Sequence, residues 1–349
     1  MKTQKLTYQK SGVDIREANR FVESIKPWIK ETARPGVVEG LGGFAGLFDL
    51  SKTGLKEPIL LAASDGVGTK LLLAREAGYL EGIGQDLVAM CVNDLLVYGG
   101  VPLFFMDYYA CEKLEQHQAS TIIQSIAKAC KQVGCALLGG ETAEMPGLYK
   151  KGDFDLAGFA LGAVERDLLL GQHKVQPRDQ LIGLASSGVH SNGFSMIRAI
   201  IKKSGLAIDA PCPFDASKNL TQVLLEPTLL YVDAIHKMID LGGVHACAHI
   251  TGGGFRENLI RSIPSFCDAH IQAKAWQKPQ IFEWLQQTGC VDADEMYTIF
   301  NCGIGMIVMV DENKTEKQLS MLRENHIAAF HIGEVTKSVS DQHAVFLNQ

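Results

Sequence analysis

Hydrophobic residues recur at helical spacing from residue 14 to 31, with Ile15, Ala18, Phe21, Val22, Ile25 and Ile29 on one stripe. Arg34-Pro35-Gly36 ends that helix. Pro58-Ile-Leu-Leu-Ala-Ala-Ser64 is apolar without interruption and reads as a buried strand that delivers Asp65 at its end. Helices follow at 71–78, with a glycine stop, and at 86–98. A strand at 103–110, a helix at 119–133, a short strand at 135–138 and a strand at 154–164 complete this half.

The segment from Glu165 to Asp179 carries charges, Gly171 and Pro177 but few periodic apolar positions, and the domain boundary is placed within it. The expected domains are 1–170 and 171–349. The pattern then restarts with a strand at 180–186, a loop Ser187–Gly193 and a helix at 194–204 stopped by Gly205. A second strand–loop–helix runs through 244–250, Thr251–Gly254 and 255–263, with a strand at 301–310 and a helix at 314–325 after it. Alternating strands and helices make both halves α/β.

Composition narrows the class. With 46% hydrophobic and 21% charged residues, the 349-residue chain is globular and long enough for two cores. A net charge of −6 argues against a broad nucleic-acid or anionic-membrane surface. The start of the chain lacks the apolar core of a signal peptide, and the uncharged stretch 95–106 is too short and glycine-broken for a bilayer. Nine cysteines without a Cys-x-x-Cys pair suit a reduced, cytoplasmic protein better than a disulfide framework.

Glycine changes the picture most. Its 35 copies gather in Gly40-Leu-Gly-Gly-Phe-Ala-Gly46, Asp65-Gly-Val-Gly-Thr-Lys70, Gly139-Gly-Glu-Thr-Ala-Glu144 and Thr251-Gly-Gly-Gly254. Glycine lets backbone N–H groups close on an anion, although tight turns use it as well. The Asp65 segment sits between strand and helix but is not a Walker A loop, because the glycine spacing and the Gly-Thr-Lys order differ. Asp94, Asn93 and Glu141 offer oxygens that, with Asp65, suit a hard cation; Asp94 as a solvated surface residue is the alternative.

In Ser187-Gly-Val-His190-Ser-Asn-Gly193, Ser191 and Asn192 either cap the following helix or offer its N–H groups to a phosphate. His190 has an ordinary pKa near ~6.5 and suits proton transfer. His245, Cys247 and His249 alternate along a strand but lack a fourth ligand, so packing or substrate contact is favoured over zinc. No Ser-His-Asp order or Gly-x-Ser-x-Gly elbow stands out.

Long stretches of the chain resemble the phosphoribosylformylglycinamidine cyclo-ligases, the aminoimidazole ribonucleotide synthetases of purine biosynthesis. The resemblance runs through Tyr8-x-x-x-Gly12-Val-Asp14, Gly40-Leu-Gly-Gly-Phe44, Ser64-Asp-Gly-Val-Gly-Thr-Lys70, Met90-Cys-Val-Asn-Asp94 and Pro102-Leu-Phe-Phe-Met-Asp-Tyr-Tyr109. It continues through Gly139-Gly-Glu-Thr-Ala-Glu-Met-Pro-Gly147, Ser187-Gly-Val-His-Ser-Asn-Gly193, His249-Ile-Thr-Gly-Gly-Gly-Phe255 and Phe300-Asn-Cys-Gly303.

The resemblance implies ATP-dependent closure of formylglycinamidine ribonucleotide to aminoimidazole ribonucleotide, with Mg2+ and with K+ as an aid. It implies a homodimer whose N-terminal mixed sheets, each with helices on one face, join into a barrel, beside a C-terminal α/β domain. For the nucleotide it implies Lys26, Gly40, Gly42, Gly43, Gly66, Gly68, Thr69, Lys70, Asn93 and Asp94. For the metal it implies Asp65, Asp94 and Glu141, and for catalysis His190, Asp65 and Lys70. Gly139, Gly140, Glu141, Thr142, Ser191, Asn192, Gly252, Gly253 and Gly254 fall to the substrate, with the choice between substrate phosphate and polyphosphate open for the last two loops.

Gly99-Gly100 stands where the broader pattern often has Gly-Ala. Selenophosphate synthetase would carry a reactive Cys before Met90, and the hydrogenase-maturation relative ends in Cys where this chain reads Phe346-Leu-Asn-Gln349. The rivals that remain are a small-molecule kinase of the thiamin-phosphate type and a nucleotide-binding module without turnover.

Overall fold

The computed structural model describes residues 15–40, 42–339 and 343–348. The Tyr8–Asp14 motif, Leu41 and Gln349 lie outside them. The first half runs α1 (Ile15–Lys30), β1 (Val37–Glu39), β2 (Leu47–Phe48), β3 (Pro58–Gly66), α2 (Lys70–Ala77), α3 (Ile83–Leu96), β4 (Val101–Cys111), α4 (Gln116–Gln132), β5 (Ala136–Glu144) and β6 (Phe154–Glu165). Four of these strands form one mixed sheet in the order β3-β6-β4-β5, with β4 and β5 parallel and the other pairs antiparallel.

Helix α3 packs on this sheet and α4 packs on α3. Two glycines set how closely. A Cβ on Gly158 would lie 2.5 Å from Phe105 Cζ and 2.9 Å from Cys91 Sγ, so its absence lets α3 approach the strands. A Cβ on Gly84 would lie 2.3 Å from the Ile126 amide nitrogen, so the two helices touch backbone to backbone there. The other sheet face is open: Leu60 and Phe159 are 57% and 43% exposed. The expectation that 58–64 is a buried strand is therefore corrected: no residue of β3 is fully buried. An unbroken apolar run marks a strand covered on both faces, and within one chain only one face has helices.

The second half runs β7 (Gln180–Ala185), α5 (Phe194–Ser204), β8 (Pro211–Cys212), β9 (Asp215–Asn219), α6 (Leu220–Leu224), α7 (Val232–Leu241), β10 (Val244–His249), α8 (Gly254–Ile260), β11 (Cys267–Gln272), α9 (Gln280–Gly289), α10 (Ala293–Ile299), β12 (Ile304–Val310), α11 (Thr315–Glu324), β13 (Ala329–Lys337) and β14 (Val345–Asn348). Its six-stranded sheet has the order β10-β12-β7-β13-β11-β14, antiparallel except for β11 with β14. Every residue of β12 is buried, which makes it the spine of this core. The chain is thus a mixed α/β protein with two main sheets, one in each half, and two small two-stranded pairs, β1 with β2 and β8 with β9. Among the described residues no helix is long and apolar enough to cross a membrane.

A polar seam joins the halves. Lys70, fully buried at the start of α2, places Nζ 2.7 Å from Asp86 Oδ2 and donates to the carbonyls of His190 (3.0 Å) and Glu226 (3.1 Å). Asp86 Oδ1 accepts from the Thr228 amide and hydroxyl at 2.8 and 2.6 Å. Asn93, one face of α3 further along, donates to the Leu229 carbonyl at 2.9 Å and accepts from the Tyr231 amide at 3.2 Å. The 226–231 segment of the second half is thereby fixed on α3 of the first.

Candidate functional site

Along this seam opens a cleft of about 1150 Å3, larger than the ~300–1,000 Å3 of an ordinary small-molecule site. Strand β3 forms one wall from Leu61 through Gly66, continued by Val67 and Gly68. Helix α3 adds Met90, Asp94 and Leu95, and Val97 and Tyr98 follow just past its end. The opposite wall comes from β10, ending at His249, and from Thr251, Gly252, Asn258, Arg261 and Ser262. Ser191 and Asn192 close one side and Gln172 another.

Asp65 and Asp94 meet here. Burial in the cleft and the nearby Asp94 carboxylate push Asp65 above the ordinary carboxylate range, against the Gly66 amide, which donates to it at 2.7 Å. Asp94 Oδ1 lies 2.9 Å from His249 Nδ1. That contact makes Nδ1 the protonated nitrogen, so the acceptor lone pair is on Nε2, which is buried without a partner. An imidazole oriented by a carboxylate on one nitrogen, with its other nitrogen unengaged, is built to move a proton. Among the lining residues the only Lys or Arg is Arg261, against three carboxylates, Asp65, Asp94 and Asp155.

Ser191 and Asn192 do not cap α5. The cap is Gly193, at φ +75° and with no side-chain cap bond, and a Cβ there would strike Phe300 at 2.3 Å. Ser191 Oγ instead lies 3.1 Å from Thr228 Oγ1 of the seam, and Ser191 and Asn192 line the cleft. Gly66, Gly68 and Gly252 are cleft positions as well.

Several expected residues lie elsewhere. Lys70 is spent on the seam: three acceptors surround its ammonium, and nothing is left for a phosphate. Asn93 is likewise committed to Leu229 and Tyr231. Thr69 stands beside the cleft with its hydroxyl 3.2 Å from Ser195 Oγ. Gly253 and Gly254 serve the turn, both at positive φ, and a Cβ on Gly254 would lie 1.9 Å from the Tyr297 carbonyl. Lys26 pairs with Glu23 on α1.

The Gly139 segment is strand, not loop: Gly139, Gly140, Glu141 and Thr142 belong to β5, paired with β4. Gly140 is needed because Asp107 Oδ1 comes within 2.5 Å of where its Cβ would be, and burial pushes that aspartate up to about 7. Across the sheet, Asp65, Gly158, Asp107 and Gly140 stand in one row. Three strand spacings, ~14 Å, therefore separate Asp65 from the neighbourhood of Glu141, so the three expected metal carboxylates do not converge within one chain. Gly40, Gly42 and Gly43 belong to the same far edge: the loop lies on β5, where a Cβ at Gly46 would strike Leu138 at 2.4 Å. Among the described residues no three His, Cys, Asp or Glu side chains form a metal-binding group. Cys247 faces the cleft with its thiol pushed up to about 12 by burial, and His245 turns to Asp179 at 2.8 Å, so the alternating trio is not a zinc site.

His190 is inside the wall. Its ring is buried, its Nε2 accepts from the Ser187 amide at 3.2 Å, and its Nδ1 has no partner. Burial first, and then His249 and Lys70, hold its pKa well below the ordinary value, so it is neutral. The unfolded chain takes up this proton near pH ~6.5 and the folded chain does not, so acid favours unfolding. Stability is expected to fall as pH drops below ~6.5 and to be flat above it on account of this ring. Urea midpoints across pH ~5–8 should show that slope reduced in His190→Gln; an unchanged slope rejects the neutral buried state.

Composition and spacing missed Arg261, Asn258 and Gln172, and they gave His249 to packing or substrate contact rather than to the role of cleft imidazole. A signal existed for His249 alone, as the last residue of an apolar strand leading into a glycine loop, where ligands gather in α/β folds.

Comparison with known proteins places these features. Residues 50–164 match the N-terminal domain, and residues 176–345 the C-terminal domain, of AIR synthase related proteins. The fold is similar to thiamine-monophosphate kinase from Stenotrophomonas maltophilia, with TM-score 0.68, 17% identity, and 93% of this chain and 94% of that one covered. It is also similar to the hydrogenase maturation protein HypE in complex with ATP, at TM-score 0.67 and 18% identity, covering 96% and 93%. E. coli HypE gives TM-score 0.66 at 18% identity, covering 95% and 94%. The protein is thus built from the N-terminal and C-terminal domains of AIR synthase-related proteins, joined in one chain with the cleft between them.

Proposed function

We propose that the protein is an ATP-dependent cyclo-ligase that converts formylglycinamidine ribonucleotide to aminoimidazole ribonucleotide, ADP and phosphate. The observation that carries this reading is the meeting of Asp65, Asp94 and His249 on one cleft framed by both AIR synthase-related domains. Its volume has room for two reactants, which a phosphoryl transfer to an organic oxygen requires.

In this reading the formyl oxygen attacks the γ-phosphorus and ADP leaves. The amidine nitrogen then adds to the activated carbon, loses a proton and expels phosphate. Mg2+ fits Asp65 and Asp94, since that ion takes one or two protein carboxylates and fills its remaining positions with phosphate oxygens and water. When bound it neutralises charge that builds on the phosphoryl oxygens. Asp94 keeps Oδ2 for this while Oδ1 orients His249, and His249 Nε2 takes the amidine proton. Glu141 is too far along the sheet to join them from the same chain.

We place the domain limits at residues 1–170 and 171–349 and the active form as a homodimer. A second copy would cover the open face that bears Leu60 and Phe159, and would bring its own β5 edge, with the Gly40 and Gly139 segments, toward a neighbouring cleft. K+ is an aid that the chain's own geometry does not require. Nine free cysteines, eight of them buried, suit a reducing cytoplasm.

The test is a coupled assay with the purified chain, ATP, Mg2+ and formylglycinamidine ribonucleotide, following the coloured derivative of the aromatic amine product. Equal formation of amine, ADP and phosphate is expected. ATP binding with no ADP release, or phosphorylation of thiamine monophosphate in place of cyclisation, rejects the assignment.

A further inference from the structure

Arg261 is a cation without a carboxylate. Among the described residues no Asp or Glu side chain pairs with it, although the protein carries a net charge of −6. Two of the five guanidinium N–H groups are used, Nε on the Glu257 carbonyl at 3.2 Å and one of Nη2 on Asn258 Oδ1; the other three have no partner among the described residues, and Arg261 lines the cleft.

Its support is rigid. Asn258 is 3% exposed, and its amide donates to the carbonyls of Gly254 (2.7 Å), Gly252 (3.2 Å) and Thr251 (3.3 Å), so the arginine is tied to the glycine loop. From the other side Gln172 Nε2 donates to the Arg261 carbonyl at 2.7 Å. The strap that holds Gln172 is itself pinned, by Leu170 N–H on the Tyr98 carbonyl (3.2 Å) and by Gly171 N–H on the His245 carbonyl (3.0 Å). His245 precedes His249 by four residues of β10, about 13 Å of strand, so the Arg261 end and the Asp94–His249 end are separate poles of one cleft.

A planar guanidinium with free N–H groups, anchored on a cleft wall and left unpaired, is a receptor for a dianionic oxyacid. The polyphosphate of a nucleotide is needed at the acidic pole, where the phosphoryl transfer takes place. We propose that Arg261, positioned by Asn258 and Gln172, binds the phosphate monoester of the second reactant and so sets that reactant along the cleft with its reactive substituent toward Asp65 and Asp94. This rests on the proposed function for the presence of a nucleotide at the acidic pole.

The test is calorimetric titration of the full chain, with Mg2+ present, using three probes: the ATP analogue AMPPCP, ribose 5-phosphate and ribose. Ribose 5-phosphate, but not ribose, is expected to bind the wild type. Arg261→Ala should weaken it about ten- to a hundredfold, the loss of charge-assisted hydrogen bonds, with AMPPCP affinity within about twofold of wild type. Arg261→Lys, keeping the charge without the fork, should fall between. Arg261→Gln, which can keep the bond to Asn258 without the charge, should repeat the alanine result should that variant not fold. Ribose 5-phosphate that fails to bind the wild type, or binds the charge-free variants as tightly, overturns the proposal. An equal loss of AMPPCP overturns it too, by giving Arg261 to the nucleotide. A chain that forms no cyclised product yet loses ribose 5-phosphate through Arg261 would reject the cyclo-ligase and keep the phosphate subsite.

Discussion

Replacing Lys70 with Met is expected to lower the stability of the protein by about 3–5 kcal/mol, the cost of stranding one member of a buried ion pair. The substitution conserves most of the side-chain volume, so cavity effects are small and the loss is electrostatic. It leaves Asp86 Oδ2 buried and uncompensated, and it leaves the His190 and Glu226 carbonyls without their donor. Because those groups come from both halves of the chain, the seam is weakened along with the fold of either half. Denaturant titration followed by tryptophan fluorescence measures the loss. The folded variant should bind AMPPCP within about twofold of wild type, since no Lys70 proton faces the cleft. A second substitution, Asp86→Asn, in the Lys70→Met background should cost less than the two single changes added, because the stranded charge is gone. Near-native stability combined with a large loss of nucleotide affinity would return Lys70 to phosphate binding and reject its role in the seam.

That residue shows where the chain could and could not be read from its sequence. Local chemistry was legible: an apolar strand ending in Asp65, a helix carrying Asp94, and the loop with Ser191 and Asn192 all form where turn and periodicity signals put them, and all face the cleft. Direction was not legible. Asn93 and Asp94 are consecutive on α3, a turn of ~100° apart, and packing of the 226–231 segment decides that Asn93 enters the seam while Asp94 meets His249.

Sheet order was equally hidden. The Gly139 segment reads like the Asp65 segment, yet β3 and β5 occupy opposite edges of the sheet, and the glycine there answers to Asp107 packing. His190 stands in a loop, but the loop folds inward and takes its ring into the wall, whereas His249, itself nearly buried, lines the cleft from the end of a strand. Arg261 follows a short helix with no spacing that distinguishes it from a solvated cation. Its isolation from carboxylates exists only in three dimensions.

Asp94→Asn is expected to lower turnover by about 10³- to 10⁴-fold with little change in stability, the scale seen when the carboxylate partner of a catalytic imidazole becomes an amide. Two losses combine. An amide can present its NH2 to His249 Nδ1, which would move the imidazole proton to Nε2 and leave nothing there to accept a proton from the substrate. The cleft also loses one of the two carboxylates that suit Mg2+, which Asp65 cannot replace alone. The fold should tolerate the change because Asp94 is half-exposed and isosteric with Asn, and its removal relieves the repulsion that adds to burial in raising Asp65. The Asp65 pKa should accordingly drop toward the ordinary carboxylate range, which a carboxyl-carbon NMR titration can follow. Single-turnover measurement of ADP and amine formation separates the two losses: raising Mg2+ should recover part of the phosphoryl transfer, but not the proton step. His249→Gln should depress cyclisation by a similar factor while leaving AMPPCP binding and its Mg2+ dependence intact. Wild-type turnover in both variants would remove the Asp94–His249 pair from the reaction and send the search for the base back to the cleft wall.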